Sequence, residues 1–357
     1  MQVDLADHID EKEWDACVAA TLGANFYQTS IFAHALKELH SARPLFVTVK
    51  EGEKVIACLL ACRDGFGQQF FEERPAVGFL SPLVRKAMPH LHWAYGPLFL
   101  ERALRKEALE EIVAALSAYC LSKKVFLAEG LPALHGDAFD AADSSVFTAE
   151  GFSIKKHATF LIDLTQGKEI LWSNLDKAAR KAVTDCNASG VVVSKASSEE
   201  DVKDYLALLK SFRKKMGFLM PPFYPAVSFW AEYGGKNVDV YLAKQDGKLI
   251  SGMGVVYFGG VVSEVAVARD LDCKAYAQDA IKWAIIRWGA ENGQTCYDLG
   301  GVSPAPVTPK EKGLYQFKAK WGGKLVPYEE YSKFFSRGRK FFVAALKKMA
   351  LKVGTNA

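Results

Sequence analysis

The chain has no apolar run approaching the ~20 residues that a bilayer crossing requires; its longest, around Val55 to Cys62, is much shorter. Met1-Gln2-Val3-Asp4 lacks the basic-then-apolar pattern of a secretion signal, so a cytoplasmic protein is expected. The cysteines (17, 58, 62, 120, 186, 273 and 296) are odd in number and scattered. With no CxxC pair and no Cys/His cluster at zinc spacing, neither a disulfide framework nor a metal is expected. The histidines (8, 34, 40, 90, 92, 135 and 157) gather in the first half and form no motif, so neither a Ser-His-Asp nor a Cys-His nucleophile is indicated. Acidic residues are missing from Tyr331 to the end, where Lys333, Arg337, Arg339, Lys340, Lys347, Lys348 and Lys352 lie. These basic residues outnumber the net charge of +4, so the rest of the chain is slightly acidic and attraction for an anionic partner is local.

What is present is an ordinary globular composition: 357 residues, 50% hydrophobic and 24% charged. That length suggests two domains of roughly 100–200 residues. An internal repeat supports the division. Leu45-Phe-Val-Thr-Val-Lys-Glu-Gly-Glu-Lys-Val-Ile56 reads as strand, glycine turn and strand, and Val238-Asp-Val-Tyr-Leu-Ala-Lys-Gln-Asp-Gly-Lys-Leu-Ile250 repeats it. Amphipathic helical stretches precede each hairpin, at 11–21 and 30–39 and at 198–215 and 225–233. A long helix and a strand follow each, at 106–123 and 125–128 and at 273–292 and 295–299. The expected fold is α+β, with domains at 1–155 and 156–357, the second ending in a basic amphipathic helix beyond Gly338 that packs on its domain, meets RNA or meets an anionic membrane surface.

This order resembles the Gcn5-related N-acyltransferase (GNAT) fold in tandem, with mixed β-sheets. Acyl-CoA-dependent members open the long helix with a glycine-rich turn whose N–H groups hold pyrophosphate. The corresponding stretch here, Arg269-Asp-Leu-Asp-Cys-Lys-Ala-Tyr-Ala277, contains no glycine, and Asp270 and Asp272 place negative charge where phosphate would sit. More specific segments follow: Leu175-Asp-Lys-Ala-Ala-Arg-Lys-Ala-Val183 with Ser189-Gly-Val191; Tyr276-Ala with the helix to Ala290-Glu-Asn-Gly293; and Tyr297-Asp-Leu-Gly-Gly301 followed by Lys312-Gly-Leu-Tyr-Gln-Phe-Lys-Ala-Lys-Trp-Gly-Gly323. Together, over about 171–327, they resemble the Fem-type (FemABX) aminoacyltransferases. Tyr27-Gln28-Thr29 and Tyr95-Gly-Pro97 are fainter echoes.

The resemblance implies transfer of an amino acid from aminoacyl-tRNA to an amine of a nucleotide-linked or lipid-linked peptidoglycan precursor, without a cofactor. Lys177, Arg180 and Lys181 share one helical face suited to a diphosphate, the site to which the family's equivalent arginine points, or to plain solvation. Asp298, at a strand end beside a glycine pair, is a candidate general base or a plain strand exit. Lys318 is the candidate to stabilise the oxyanion or clamp the tRNA's terminal phosphate, with Phe317 and Trp321 fixing the helix that carries it. Tyr276, Tyr297 and Phe317 complete the implied substrate-binding set. An acyl-CoA-dependent N-acyltransferase of cell-envelope polysaccharide synthesis and a non-catalytic nucleotide- or RNA-binding protein remain alternatives.

Overall fold

A computed structural model of the chain describes residues 1–73, 77–136, 138 and 140–336. It forms two compact units, Met1–Lys155 together with the residues from Glu329, and Lys156–Tyr328. The basic helix expected beyond Gly338 lies outside the described residues. The division at 156 needs one correction: residues 329–336, grouped by sequence with the second domain, belong to the first unit.

The first unit is built on β1 (Gln2–Ala6), β2 (Arg43–Glu51), β3 (Lys54–Gly65), β4 (Pro89–Trp93), β5 (Leu98–Phe99) and β6 (Leu127–Gly130). Buried from Ile56 to Cys62, β3 reads as a continuous apolar run, as a central strand should. It pairs antiparallel with β2 and β4, and β5 adds to its edge. Strands β4 and β6 are parallel, so they need a crossover. Helix Arg105–Ser122 supplies it, burying Leu109, Ile112, Val113, Leu116 and Cys120 along one stripe.

The second unit uses β7 (Ser153–Asp163), β8 (Val192–Lys195), β9 (Val238–Gln245), β10 (Lys248–Phe258), β11 (Val261–Arg269) and β12 (Cys296–Val302). Its ladder runs β8-β9-β10-β11-β12-β7, matching β1-β2-β3-β4-β6 followed by β13 (Lys324–Phe334) in the first. The last position of each ladder is thus filled out of chain order: β13 comes from the far end of the chain, and β7 precedes the rest of its sheet. Tyr331–Phe334 of β13 pair with β6, which explains why 329–336 group with the first unit.

In the second unit the crossover helix is Ala277–Glu291, starting later than the sequence pattern suggested because Cys273–Tyr276 form a loop. Two helices without a counterpart in the first unit, Lys168–Asn174 and Lys177–Ala188, contribute Leu171, Ala179, Val183 and Cys186 to its core. No helix among the described residues is long and apolar enough to cross a membrane.

Candidate active site

Parallel strands β11 and β12 pair only from Val261–Ser263 with Cys296–Asp298. Beyond that point both are diverted. In β11 the register jumps between Gly254 opposite Ala266 and Val255 opposite Glu264, leaving Val265 as an extra residue, a β-bulge that bends the strand. In β12 Gly300 takes φ +76°, a left-handed conformation glycine adopts without strain, and the register with β7 shifts there. The strands part around a cavity of about 900 Å³. Its walls come from Glu264, Val265, Ala266, Val267 and Arg269 of β11, Leu299 and Gly300 of β12, the start of helix Ala277–Glu291, and Leu314, Phe317 and Lys318 of helix Pro309–Ala319.

Helix Pro309–Ala319 is fixed at its start by sequence: Thr308 and Glu311 cap each other reciprocally and Pro309 occupies the first position. Its far end presents Lys318, whose Nζ donates to the carbonyls of Gly300 (2.9 Å) and Gly301 (3.1 Å). Burial holds the Lys318 ammonium below the usual lysine range; Glu264 and Asp298 oppose that shift and Lys282 adds to it. Two donor positions of the ammonium are directed at carbonyls and one remains for a ligand.

Deeper in the wall is a charged group that sequence reasoning missed. Lys282 is only 1% exposed and pairs with Glu264, which also accepts from the Tyr297 hydroxyl at 2.7 Å. Phe317, Trp321 and Tyr297 lie 5.6–5.8 Å from the Lys282 ammonium, on ring faces that favour a cation. Burial, then Glu264, pushes the Tyr297 hydroxyl well above the usual tyrosine range, so it stays protonated and donating. Lys320 pairs with Asp279 in the first turn of helix Ala277–Glu291, where an acidic side chain also suits the helix dipole. Gln278 donates to Ser251 and to the Ala268 carbonyl (3.1 Å), tying that turn to β10 and β11. The sequence signal for Lys282 was available: a lysine inside an otherwise apolar helical stretch, Ala280-Ile-Lys-Trp-Ala-Ile-Ile286, points to a buried cation.

Phe317, Lys318 and half-exposed Tyr276 line the cavity, and Tyr297 backs it through Glu264. Asp298 is placed differently from a cavity base. It is 1% exposed and accepts from Thr159 Oγ1 (2.6 Å) and the Gly300 N–H (2.8 Å), so it shapes the turn that receives Lys318. The carboxylates on the cavity wall are Glu264, Asp270 and Asp279, and of these Glu264 stands where the two strands part. Asp270 and Asp272, expected to repel phosphate, each face a lysine, Lys248 at 2.8 Å and Lys215 at 3.4 Å. Arg213, Arg269 and Lys274 stand among the lining residues.

Lys177, Arg180 and Lys181 sit on helix Lys177–Ala188 and are not among the cavity residues. Arg180 Nη1 donates to the Ser173 carbonyl (2.9 Å) and to that of Leu175, closing the end of helix Lys168–Asn174. Lys181 pairs with Asp185 at 2.7 Å, and Lys177 is exposed.

No protein-family model matches the chain, and no curated protein matches it by sequence. Solved structures do match. FemX aligns with 96% of this chain and 100% of its own at a TM-score of 0.72 and 16% identity. The C-terminal DUF2156 domain of a putative lysylphosphatidylglycerol synthetase from Agrobacterium fabrum aligns with 96% of this chain and 95% of its own, at a TM-score of 0.55 and 14% identity. A tandem GNAT protein from the clavulanic acid biosynthesis pathway covers 93% of this chain and 98% of its own, at a TM-score of 0.51 and 10% identity. The chain therefore has the tandem GNAT-like α+β fold of the Fem type.

Proposed function

We propose that this protein is an aminoacyltransferase that uses the Lys156–Tyr328 unit to move an amino acid from aminoacyl-tRNA onto an amine of a peptidoglycan-type precursor. The observation that carries the reading is Lys318, which lines the cavity and is held by two carbonyls, with no third hydrogen-bond partner among the described residues. In the reaction the acceptor nitrogen attacks the ester carbonyl, the bond from carbonyl carbon to ribose oxygen breaks, and the amine's proton leaves with that oxygen. Negative charge grows on the carbonyl oxygen in between. A preset ammonium, already desolvated, stabilises that charge without reorganising. Phe317 and Trp321 keep its helix seated.

Glu264, Lys282 and Tyr297 form the wall behind it, and Asp298 acts as a positioning residue through the Gly300 turn. Arg213, Arg269 and Lys274 supply cations for the phosphates of a tRNA 3′ end. The acceptor is assigned from the sequence resemblance to Fem-type enzymes, and the lysylphosphatidylglycerol synthetase neighbour belongs to the same fold.

The test is a transfer assay with the full chain, tRNAs charged with labelled amino acids and a nucleotide-linked stem-peptide precursor, beside a parallel arm with acetyl-CoA. Label appearing in the precursor from tRNA supports the proposal. Transfer from acetyl-CoA alone reassigns the donor, and transfer in neither arm rejects this pairing of substrates. Lys318→Met, which keeps the apolar stem, should lower kcat by ~10²–10³ with KM changed far less; an unchanged kcat removes Lys318 from the chemistry.

A further inference from the structure

The first unit carries a polar cluster that the proposed transfer does not use. His90 and His92 alternate along β4, so both side chains leave the same face of the sheet. Their rings stack with centroids 5.1 Å apart and planes 25° from parallel. Antiparallel register sets Asp64 of β3 opposite His90, and parallel register sets Glu129 of β6 beside His92. Asp64 Oδ1 lies 3.1 Å from His90 Nδ1, and Asp64 Oδ2 lies 3.4 Å from His92 Nε2. One ligand atom from each of the three residues falls within 4.8 Å of the others.

Two ligand atoms bound at ~2.0–2.2 Å to one tetrahedral ion are ~3.3–3.6 Å apart, so both carboxylate–imidazole spacings need little change to accept one. Glu129 adds the usual outer support of such sites. Its Oε1 is 3.2 Å from His90 Nε2, the nitrogen turned away from Asp64. The two are at ion-pair distance without a formed hydrogen bond, and a small rotation of the carboxylate would let it hold the proton on Nε2 and leave the Nδ1 lone pair for a metal. The Phe66 ring stands edge-on to His90 at 5.6 Å and shields one side, while the His92 side chain is 27% exposed and leaves an entrance.

We propose that Asp64, His90 and His92 bind one divalent ion of the zinc type, with Glu129 orienting His90. Two imidazoles and a carboxylate suit zinc and its first-row neighbours over magnesium or calcium, which prefer all-oxygen shells. Three protein ligands leave a fourth position for water. The ligands sit on β3 and β4 and their support on β6, so a bound ion would cross-link neighbouring strands of the first unit.

The experiment uses the full chain without an affinity tag, stripped with chelator and titrated with zinc chloride by calorimetry, with metal content measured after dialysis. Uptake of about one equivalent, a higher unfolding temperature with zinc than with EDTA, and visible absorption bands on cobalt substitution are expected. His92→Ala and the isosteric Asp64→Asn should each weaken zinc binding by at least ~100-fold, Glu129→Gln by ~10–100-fold, and exposed His8→Ala not at all. If the wild-type chain takes up no zinc, or His92→Ala and Asp64→Asn bind it as tightly, the cluster is an imidazolium clasped between carboxylates and the assignment falls.

Discussion

The two units lay their strands in the same order, yet the place where the central parallel strands end is filled in one and open in the other. In the first unit β4 and β6 stay paired over His90–Trp93 with Leu127–Gly130. Trp93 then covers Gly130 so closely that a Cβ there would lie 2.0 Å from the indole. Gln28, wholly buried, plugs the neighbouring gap: it donates to the Ala94 carbonyl at 2.7 Å and accepts from the Leu60 N–H at 2.7 Å. In the second unit pairing stops sooner, the bulge at Val265 and the turn at Gly300 spread the strands, and charged side chains line the opening. A fold fixes where an opening can form, and a handful of side chains decides whether it becomes core or site.

The largest effect should follow from breaking the open unit's buried ion pair. Glu264→Ala leaves Lys282 charged in an apolar wall and takes the acceptor from Tyr297, which should cost about 3–5 kcal/mol in denaturant unfolding. Glu264→Gln combined with Lys282→Met retains an acceptor for the tyrosine and removes both charges. It should recover most of that stability while activity stays low. If the single and double variants are equally unstable, the pair's charge balance is not what holds the wall together.

The filled unit should respond at the plug. Gln28→Ala strands the Leu60 N–H and the Ala94 carbonyl in the interior, at about 1–3 kcal/mol for each group. Unfolding should therefore shift by ~2–6 kcal/mol, with turnover below the transition left near wild type, since the proposed chemistry lies in the other unit. A variant as stable as the parent but slow in transfer would reverse the division of labour drawn here.

Legibility followed the range of the interactions. Both hairpins and both crossover helices were readable because each depends on period and spacing within a few residues, whereas Lys318 was singled out chiefly through the family resemblance. The two faint first-unit echoes proved to touch: Tyr27 and Tyr95 rings lie 4.9 Å apart, and Gly96 packs against Gln28. The Glu264–Lys282 pair was not read, because the bulge that aims Glu264 depends on strand pairing. Asp64, 26 residues before His90, meets it only through β-sheet register, and the His-x-His spacing of β4 was passed over as no motif because two histidines alone do not make a site. Residues 329–336 were grouped with the second domain because β13 fills a place in the first ladder, which local sequence does not encode.

The smallest effects should separate the residues of the basic face, which sits on a helix that only the second unit possesses. Arg180 has a local task, holding the carbonyls of Ser173 and Leu175, so Arg180→Ala should lower stability by ~1–2 kcal/mol whatever it binds. Lys177 is exposed and makes no ion pair among the described residues, so Lys177→Ala should leave stability within about 0.5 kcal/mol. If this face receives the acceptor's phosphates, both variants should still raise the acceptor's KM, Arg180→Ala by about tenfold and Lys177→Ala by a few-fold. Added salt should shrink the Lys177 effect, because an exposed charge is screened at about 8 Å near physiological ionic strength. Arg180→Lys is the sharper comparison: it keeps the charge and loses the fork, so a diphosphate gripped by paired donors should be bound nearly as weakly as in the alanine variant. Should KM stay at its parental value in Lys177→Ala and in Arg180→Lys, the face is a solvated helix surface with one structural arginine, and acceptor binding belongs to the cavity alone.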